Sequence, residues 1–161
     1  MSSVDIVLSG LFVSALRSAT PLLFALLGEC LTQRAGRINL GVEGQMLVGA
    51  AAGYGATALT GSPWLGLLAG ALAGALLSLV YALLTVPAAA NPFASGLAVW
   101  MLGFGLSAYA GTGLVGLRIE GFEPLAWGLT PSIVLALALV PLIGLWLYRT
   151  RTGLHWRAVG E

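Results

Sequence analysis

Apolar residues form long uninterrupted segments along this chain. Residues 44–117 contain no Asp, Glu, Lys, Arg or His. A helix needs about 20 apolar residues to cross the roughly 30 Å hydrocarbon core of a bilayer, so this stretch has room for three crossings. Turn signals divide it, because "GSP" at 61–63 and "AANP" at 89–92 place Gly and Pro where helices break. The pattern predicts helices over residues 45–60, 64–88 and 93–115.

Two further apolar segments flank this stretch. One covers residues 8–31 and is weakened by Arg17, Thr20 and Pro21; the other begins near Leu129 and runs to Tyr148. Unpaired backbone groups are not tolerated in lipid, and the segments lack the ten-residue alternation of barrel strands. We therefore predict an all-α fold, a polytopic membrane bundle of about five transmembrane helices, as a single domain over 1–161. Arg17 then faces a polar interior, or the first helix starts later than residue 8.

Composition agrees with a membrane protein. Hydrophobic residues make up 58% of the chain, charged residues 8%, and the mean hydropathy is +0.96. Soluble domains carry about 25% charge, so this composition excludes a soluble fold. No nucleic-acid interface is expected, because the few basic residues are scattered. No catalytic constellation, metal site or cofactor site is predicted, since Cys30 and His155 are single. A cleaved secretory signal is not expected either.

The charges that remain favour one orientation. Arginine-bearing segments follow the first and fifth predicted spans, whereas the opposite loops hold Arg118 beside Glu120 and Glu123. By the positive-inside rule, the arginine-bearing segments are cytoplasmic, which places the N-terminus outside the membrane and Glu161 inside the cell. The arginines that follow these two spans are Arg34, Arg37, Arg149, Arg151 and Arg157.

Small residues recur at helical spacing in the predicted spans. Gly66, Gly70, Gly74 and Ser78 lie four apart and form one helix face. Because no hydrophobic force drives helices together in lipid, such faces let backbones approach closely. The face predicts a tightly packed bundle. Two shorter sets have the same spacing, although chance explains them equally well: Gly49 with Gly53, and Gly103 with Ser107 and Gly111.

Polar residues cluster where the second predicted span begins. Asn39, Glu43 and Gln45 lie at the edge of the 44–117 apolar stretch. In one interpretation Asn39 is the N-cap and Glu43 lies in the first turn, where the helix dipole stabilises a carboxylate. In the other, the helix is broken here and these side chains line a substrate pathway. Asn91, before Pro92, favours a turn more than a pathway role.

Other side chains leave their roles open. Glu29 is a candidate partner for Arg34 or Arg37 at the membrane interface. His155 is expected at the surface. Aromatic residues in the fourth span are candidates for stacking on a nucleobase or sugar, and equally for facing lipid. These aromatic residues are Trp100, Phe104 and Tyr109.

Two separated motifs resemble a known family. "ATPLLFALLGECLTQRAGRINLGVEGQMLVGA" at residues 19–50 is similar to the permease subunits of ABC importers for nucleosides and simple sugars, which belong to the wider group of branched-chain amino acid permeases. The end of the chain, "YRTRTGLHWRAVGE", resembles the family's cytoplasmic segment before its coupling helix. The order of the motifs matches an N-terminal half, so the chain is expected to be truncated before the coupling helix.

The resemblance implies a partnership. Importers of this type combine two permease subunits, two ABC ATPase subunits that hydrolyse ATP, and an extracytoplasmic binding lipoprotein. It implies a multi-pass permease of a bacterial cell membrane, surrounded by lipid, with Asn39, Glu43, Gln45 and Asn91 near the pathway. Two rival functions remain open: an intramembrane enzyme, disfavoured by the lack of catalytic groups, and a non-transporting assembly or regulatory subunit or inactive permease fragment.

Overall fold

The computed structural model describes residues 3–125 and 128–160. Within these residues the regular structure is helical, with no strand, and comprises six α-helices: α1 Ser3–Arg34, α2 Val42–Thr60, α3 Pro63–Thr85, α4 Pro92–Thr112, α5 Pro131–Arg149 and α6 Arg151–Gly160. The first five match the five predicted helices in order. The short helix α6 was not predicted.

Proline and glycine set the helix boundaries. Helices α3, α4 and α5 each begin with proline, whose missing N–H costs nothing at the first helical position. Helix α2 ends at Gly61, which adopts a left-handed conformation with φ 68°. Most helix ends differ from the prediction by one to five residues, and the largest difference is at α1, which begins at Ser3 instead of residue 8. Helix α2 starts at Val42 instead of residue 45, and α3 ends at Thr85 because the chain then turns through Ala89, with φ 49°.

The helices form two compact units. Helices α1, α5 and α6 make up what we call the terminal unit. Helices α2, α3 and α4, with the connections from Arg37 to Gly121, make up the central unit.

In the central unit, α2 and α3 pack through glycine. The two helices are antiparallel, with Gly49 against Gly70 and Gly53 against Gly66. A Cβ at Gly70 would lie 2.8 Å from the carbonyl oxygen of Gly49, too close for any side chain. Gly74 continues the row more loosely, since its Cβ would lie 3.6 Å from the oxygen of Gln45. Glycine therefore sets the spacing of this helix pair.

Helix α4 packs on the start of α2, and the two run in the same direction. Gly103 faces Gly44, and a Cβ at Gly103 would lie 2.6 Å from the Cα of Gly44. Gly96 contacts Leu40 in the same way, ahead of α2. Of the other small residues in α4, Gly111 has open space around it, so this row makes close contact through Gly103 and not through Gly111.

A small buried core formed by Leu77, Tyr81 and Val99 completes the unit.

In the terminal unit, α1 and α5 run parallel. Near the start of α5, Arg17 donates a hydrogen bond from Nη2 to the Gly128 carbonyl oxygen at 3.1 Å. At the other end, Trp156 of α6 donates from Nε1 to the Leu31 oxygen at 2.8 Å. Arg17 is thus level with the beginning of α5. From Arg17 to Arg34, α1 covers about 26 Å, close to the length of α5. Helix α1 begins at Ser3, so the alternative that the first helix starts later than residue 8 is wrong.

Four of the described helices are long and apolar enough to cross a membrane: α1, α3, α4 and α5. Helix α2 has 19 residues but contains Glu43, Gln45 and four glycines, and it falls outside this set. It packs against both α3 and α4. Because these two helices shield it from lipid, fewer of the α2 side chains need to be apolar.

If α1, α3, α4 and α5 all cross the membrane, the parallel arrangement of α1 and α5 predicts that α2 crosses as well. A chain that leaves α1 at one face of the membrane and enters a parallel α5 must return to the opposite face between them, which takes an odd number of crossings. Helices α3 and α4 alone supply two. Helix α2 supplies the third, and its 19 residues cover about 28 Å, enough to span the hydrocarbon core.

Apolar side chains are widely exposed on these helices. Leu72 and Leu76 of α3 are 66% and 65% exposed, and Leu142 of α5 is 61% exposed. Such exposure suits hydrocarbon and not water. The protein is therefore a multi-pass helical membrane protein, as the sequence predicted.

Candidate functional site

A polar turn precedes α2. Asn39 is buried, with 6% of its surface exposed. Its Oδ1 accepts a hydrogen bond from the Gly41 backbone N–H at 2.9 Å, and its Nδ2 donates to Gln45 Oε1 at 3.2 Å. Asn39 thus closes an Asx turn on the chain that enters α2.

The predicted N-cap role of Asn39 is wrong. The N-cap of α2 is Gly41, with no side-chain capping bond, and the helix begins at Val42. The reason is that Asn39 lies two residues before the cap, where its Oδ1 closes an Asx turn by accepting from the Gly41 N–H.

Glu43 joins α2 to α4. It lies in the first turn of α2, as predicted, and its Oε2 accepts a hydrogen bond from Trp100 Nε1 at 3.1 Å. Trp100 stacks on Phe104, one turn along α4, with ring centroids 6.3 Å apart and planes at 29°. The carboxylate therefore fixes the indole ring, and the N-terminal end of the α2 dipole favours its negative charge.

Gln45 leaves one donor unused. Its Oε1 accepts from Asn39, whereas its buried Nε2 has no hydrogen-bond acceptor among the described residues. Buried polar groups usually find a partner, so an amide donor without one calls for an explanation. Here it lies at the start of a membrane helix, beside the Asx turn and one turn from Gly41.

The segment before Asn39 is hydrogen-bonded to the C-terminal end of α3. Arg37 donates from Nη1 to the Thr85 carbonyl oxygen at 3.3 Å, and the Tyr81 hydroxyl donates to the Ile38 oxygen at 2.7 Å. An arginine at a helix C-terminus complements the negative end of the dipole. Both bonds hold the segment before the polar turn against α3.

Asn91 serves as a helix cap. Its Oδ1 accepts hydrogen bonds from the backbone N–H groups of Phe93 at 2.9 Å and Ala94 at 3.3 Å, at the start of α4. This is the turn role that the Asn-Pro sequence favoured. A pathway role for Asn91 stays a prediction.

The predicted cytoplasmic residues lie around α6. Arg149 and Arg151 are exposed, and the Arg157 guanidinium lies 4.9 Å from the centroid of the Tyr148 ring. Glu161 lies outside the described residues. Glu29 accepts a hydrogen bond from Gln33 Nε2 at 3.0 Å.

Sequence reasoning missed the bond between Glu43 and Trp100. From the sequence, Trp100 is a candidate for stacking on a solute or for facing lipid, and no partner is predicted for Glu43. One signal pointed to such a bond, because a carboxylate at membrane depth needs a donor, and Trp64 and Trp100 are the two tryptophans of the apolar stretch. The register of α2 against α4 decides whether they meet, and the sequence does not give it.

Comparison with known families decides the assignment. Residues 11–161 match the profile of the family described as branched-chain amino acid transport system / permease component. The chain belongs to this family. The family resemblance inferred from the two sequence motifs is confirmed.

Three curated relatives of this permease chain are named for the solutes of their transporters. A putative glucose ABC transporter permease of Haloferax volcanii is 39% identical over 95% of this chain and 52% of its own length. A guanosine ABC transporter permease of Bacillus subtilis is 35% identical over 64% of this chain and 34% of its own length. A nucleoside ABC transporter permease of Lactococcus lactis is 32% identical over 89% and 53%. The chain spans about half the length of the relatives it matches most fully, and no solved structure matches it significantly.

Proposed function

We propose that this permease chain forms part of the translocation pathway of an ABC importer for a nucleoside or simple sugar. Family membership supports the transport role. The solute class is supported by the relatives, which are named as glucose, guanosine and nucleoside permeases. Both classes of solute are neutral and rich in hydroxyl groups, so their passage depends on hydrogen bonds rather than on ion pairing.

The observation that carries this proposal is the polar turn at the start of α2. Asn39, Gln45 and Glu43 bring amide and carboxylate groups to a membrane threshold, where polar side chains are expensive unless they serve a path. Gln45 Nε2 supplies a hydrogen-bond donor that no described residue uses. A hydroxyl group of a passing solute is a suitable acceptor for it.

The proposed transport cycle involves further subunits. ABC ATPase subunits hydrolyse ATP, an extracytoplasmic lipoprotein delivers the solute, and a second permease subunit completes the pathway. In this proposal the N-terminus of the chain is outside and α6 is cytoplasmic. Close glycine contacts between α2, α3 and α4 lack interlocking side chains, which suits small sliding movements between helices during the cycle.

Gene deletion in the source organism tests the proposal. We expect the deletion strain to lose uptake of labelled guanosine, uridine or glucose while it keeps uptake of labelled leucine, and a plasmid copy of the chain to restore it. Competition among the unlabelled solutes then ranks them. Undiminished uptake of all three solutes would reject the pathway role and favour a non-transporting subunit.

A further inference from the structure

Aromatic and arginine side chains meet at one end of the terminal unit. The C-terminal ends of α1 and α5 lie there, with α6 packed against both. The Tyr148 ring has two guanidinium groups near it, from Arg157 at 4.9 Å and Arg34 at 5.7 Å from the centroid. Trp146 and Trp156 pack edge to face beside it, with centroids 6.0 Å apart. We call this group of side chains, together with Arg149 and Arg151, the arginine–aromatic patch.

The patch carries excess positive charge. Residues 28–36 and 146–160 contain four arginines and one glutamate, a net charge of +3, which Glu161 would lower to +2. Arg34, Arg149 and Arg151 are exposed. The two guanidinium groups near the Tyr148 ring, from Arg34 and Arg157, repel each other, so an anion bound between them lowers the free energy of the arrangement.

The helix dipole explains only part of this charge. Arg34, Arg149 and Arg157 lie in the last turns of α1, α5 and α6, where a cation is favourable. Arg151 is the first residue of α6, where the dipole disfavours a cation and attracts an anion. An anionic group near Arg151 would satisfy both the side chain and the helix end.

Arg157 has spare donor capacity. Its Nε is buried and has no hydrogen-bond partner among the described residues, while its guanidinium lies over Tyr148. A guanidinium presents N–H groups in a fixed fork that fits phosphate oxygens, and contact with an aromatic face leaves these edges available.

The position of the patch identifies the occupant. Helices α1 and α5 are membrane spans, so the patch lies where both helices leave the hydrocarbon core. Trp and Tyr are typical of this depth, and Trp156 and Tyr148 are 43% and 55% exposed. We propose that the arginine–aromatic patch binds the phosphate headgroup of an anionic phospholipid. The inference does not depend on the transported solute, and it extends the general contact with lipid to a defined site.

Lipid titration of the purified full chain tests this site. In native mass spectrometry of the delipidated protein in maltoside, we expect phosphatidylglycerol to bind several-fold more tightly than phosphatidylcholine with the same acyl chains. Each juxtamembrane arginine contributes about 1 kcal/mol to such binding, so Arg34→Gln and Arg157→Gln should each weaken phosphatidylglycerol binding about fivefold. Phosphatidylcholine binding should stay unchanged, and added salt should reduce the preference.

Two variants serve as controls. Arg118→Gln removes the same charge from an exposed loop of the central unit and should change phosphatidylglycerol binding less than twofold. Arg157→Lys keeps the charge and should retain more of the preference than Arg157→Gln. Circular dichroism checks that helix content is the same in all variants. Equal binding of the two lipids to the wild-type chain would overturn the proposal. That result is expected if the patch binds an acidic protein surface instead of a lipid. A loss in Arg118→Gln as large as in Arg157→Gln would overturn it too.

Discussion

Glu43 is the single carboxylate between residues 30 and 119, and the structure gives it the indole N–H of Trp100 as a partner. This bond connects the first turn of α2 to the middle of α4. A hydrogen bond to a charged group is worth more than a neutral one, although exposure of Glu43 weakens it. The pair thus stabilises the contact between the two helices beside the polar turn.

A double-mutant cycle measures this bond. Trp100→Phe keeps the ring and removes the N–H, and Glu43→Gln removes the charge. We expect each to lower the free energy of unfolding by up to about 1 kcal/mol, because Trp100→Phe removes the donor and Glu43→Gln leaves a weaker, neutral acceptor. The double variant should lose less than the sum, since both substitutions act on the same hydrogen bond. Unfolding in detergent, followed by circular dichroism, gives the values. Glu120→Gln, in an exposed loop, is the matched control and should have little effect. Additive losses would show that the two side chains do not interact.

Gln45→Glu separates the pathway role of Gln45 from its structural role. The substitution keeps an acceptor for Asn39 Nδ2 and removes the unused Nε2 donor. It also places a carboxylate near the N-terminus of α2, which the dipole favours. We expect the free energy of unfolding to stay within about 1 kcal/mol of the wild-type value. Solute uptake by the intact transporter should fall about fivefold, because one hydrogen bond to the solute is lost. Normal uptake would remove Gln45 from the pathway.

Asparagine shows how far residue-scale prediction extends. The capping role of Asn91 is predictable from the Asn-Pro dipeptide. Pro92 fixes the start of α4, so the Asn91 side chain reaches the free backbone N–H groups of the first helical turn. Asn39 is also followed by a helix, but it lies two residues before the cap and closes an Asx turn instead. Turn geometry decides between the two roles, and hydrophobic pattern does not specify it.

At the scale of elements, glycine decides which helices touch. Gly103 and Gly105 lie on the same helix, yet a Cβ at Gly103 would lie 2.6 Å from the Gly44 Cα and one at Gly105 has nothing within 4 Å. The sequence predicted small-residue faces, because spacing by four is visible in a single chain. It did not predict which face meets which, since partners depend on register between helices.

Two alanine substitutions in α4 test this packing. Gly103→Ala should lower the free energy of unfolding by about 1–3 kcal/mol, because backbone atoms of α2 must shift to admit the methyl group. Gly105→Ala should raise it by up to about 1 kcal/mol, since alanine favours the helix and meets no neighbour. Thermal unfolding in detergent measures both. Equal effects of the two variants would contradict the close approach of α2 and α4.

Helix α6 was missed because it is short and polar. Its ten residues are too few for a membrane span and carry two arginines and a histidine, so the sequence alone resembles a polar tail. Tertiary contacts stabilise it. Gly153 lies against the backbone of α5, where a Cβ would be 2.7 Å from the Leu147 Cα, and Trp156 bonds to α1.

Hydrogen exchange tests the docking of α6. Gly153→Ala should increase amide exchange across residues 151–160, because the added methyl group separates α6 from α5. Gly144→Ala, within α5 and with nothing within 4 Å, is the matched control and should leave this exchange unchanged. Mass spectrometry of peptides from the detergent-solubilised protein gives the rates. If the control raises exchange in α6 as much, the contact at Gly153 is not what holds the helix.

At the scale of the whole molecule, composition determines the class and two motifs determine the family. Low charge and long apolar segments indicate a membrane protein, and its spans must be helical because lipid leaves no backbone group unpaired. The structure adds an argument for five crossings that the sequence does not contain. If the four long apolar helices all cross, the parallel arrangement of α1 and α5 predicts that α2 crosses too, although its residues are less apolar. The solute is not readable at this scale, since neutral hydroxyl-rich molecules need few charged contacts and leave no distinctive pattern of residues.

Cysteine accessibility in intact cells tests the five crossings most directly. In a Cys30→Ser background, single cysteines replace Ala35, Ser62, Glu120 and Thr152, which lie in the segments after α1, α2, α4 and α5. We predict that a membrane-impermeant maleimide labels positions 62 and 120 in intact cells, and labels positions 35 and 152 only after permeabilisation. If position 62 shares the accessibility of position 35, or positions 35 and 152 differ from each other, α2 does not cross and the account is wrong.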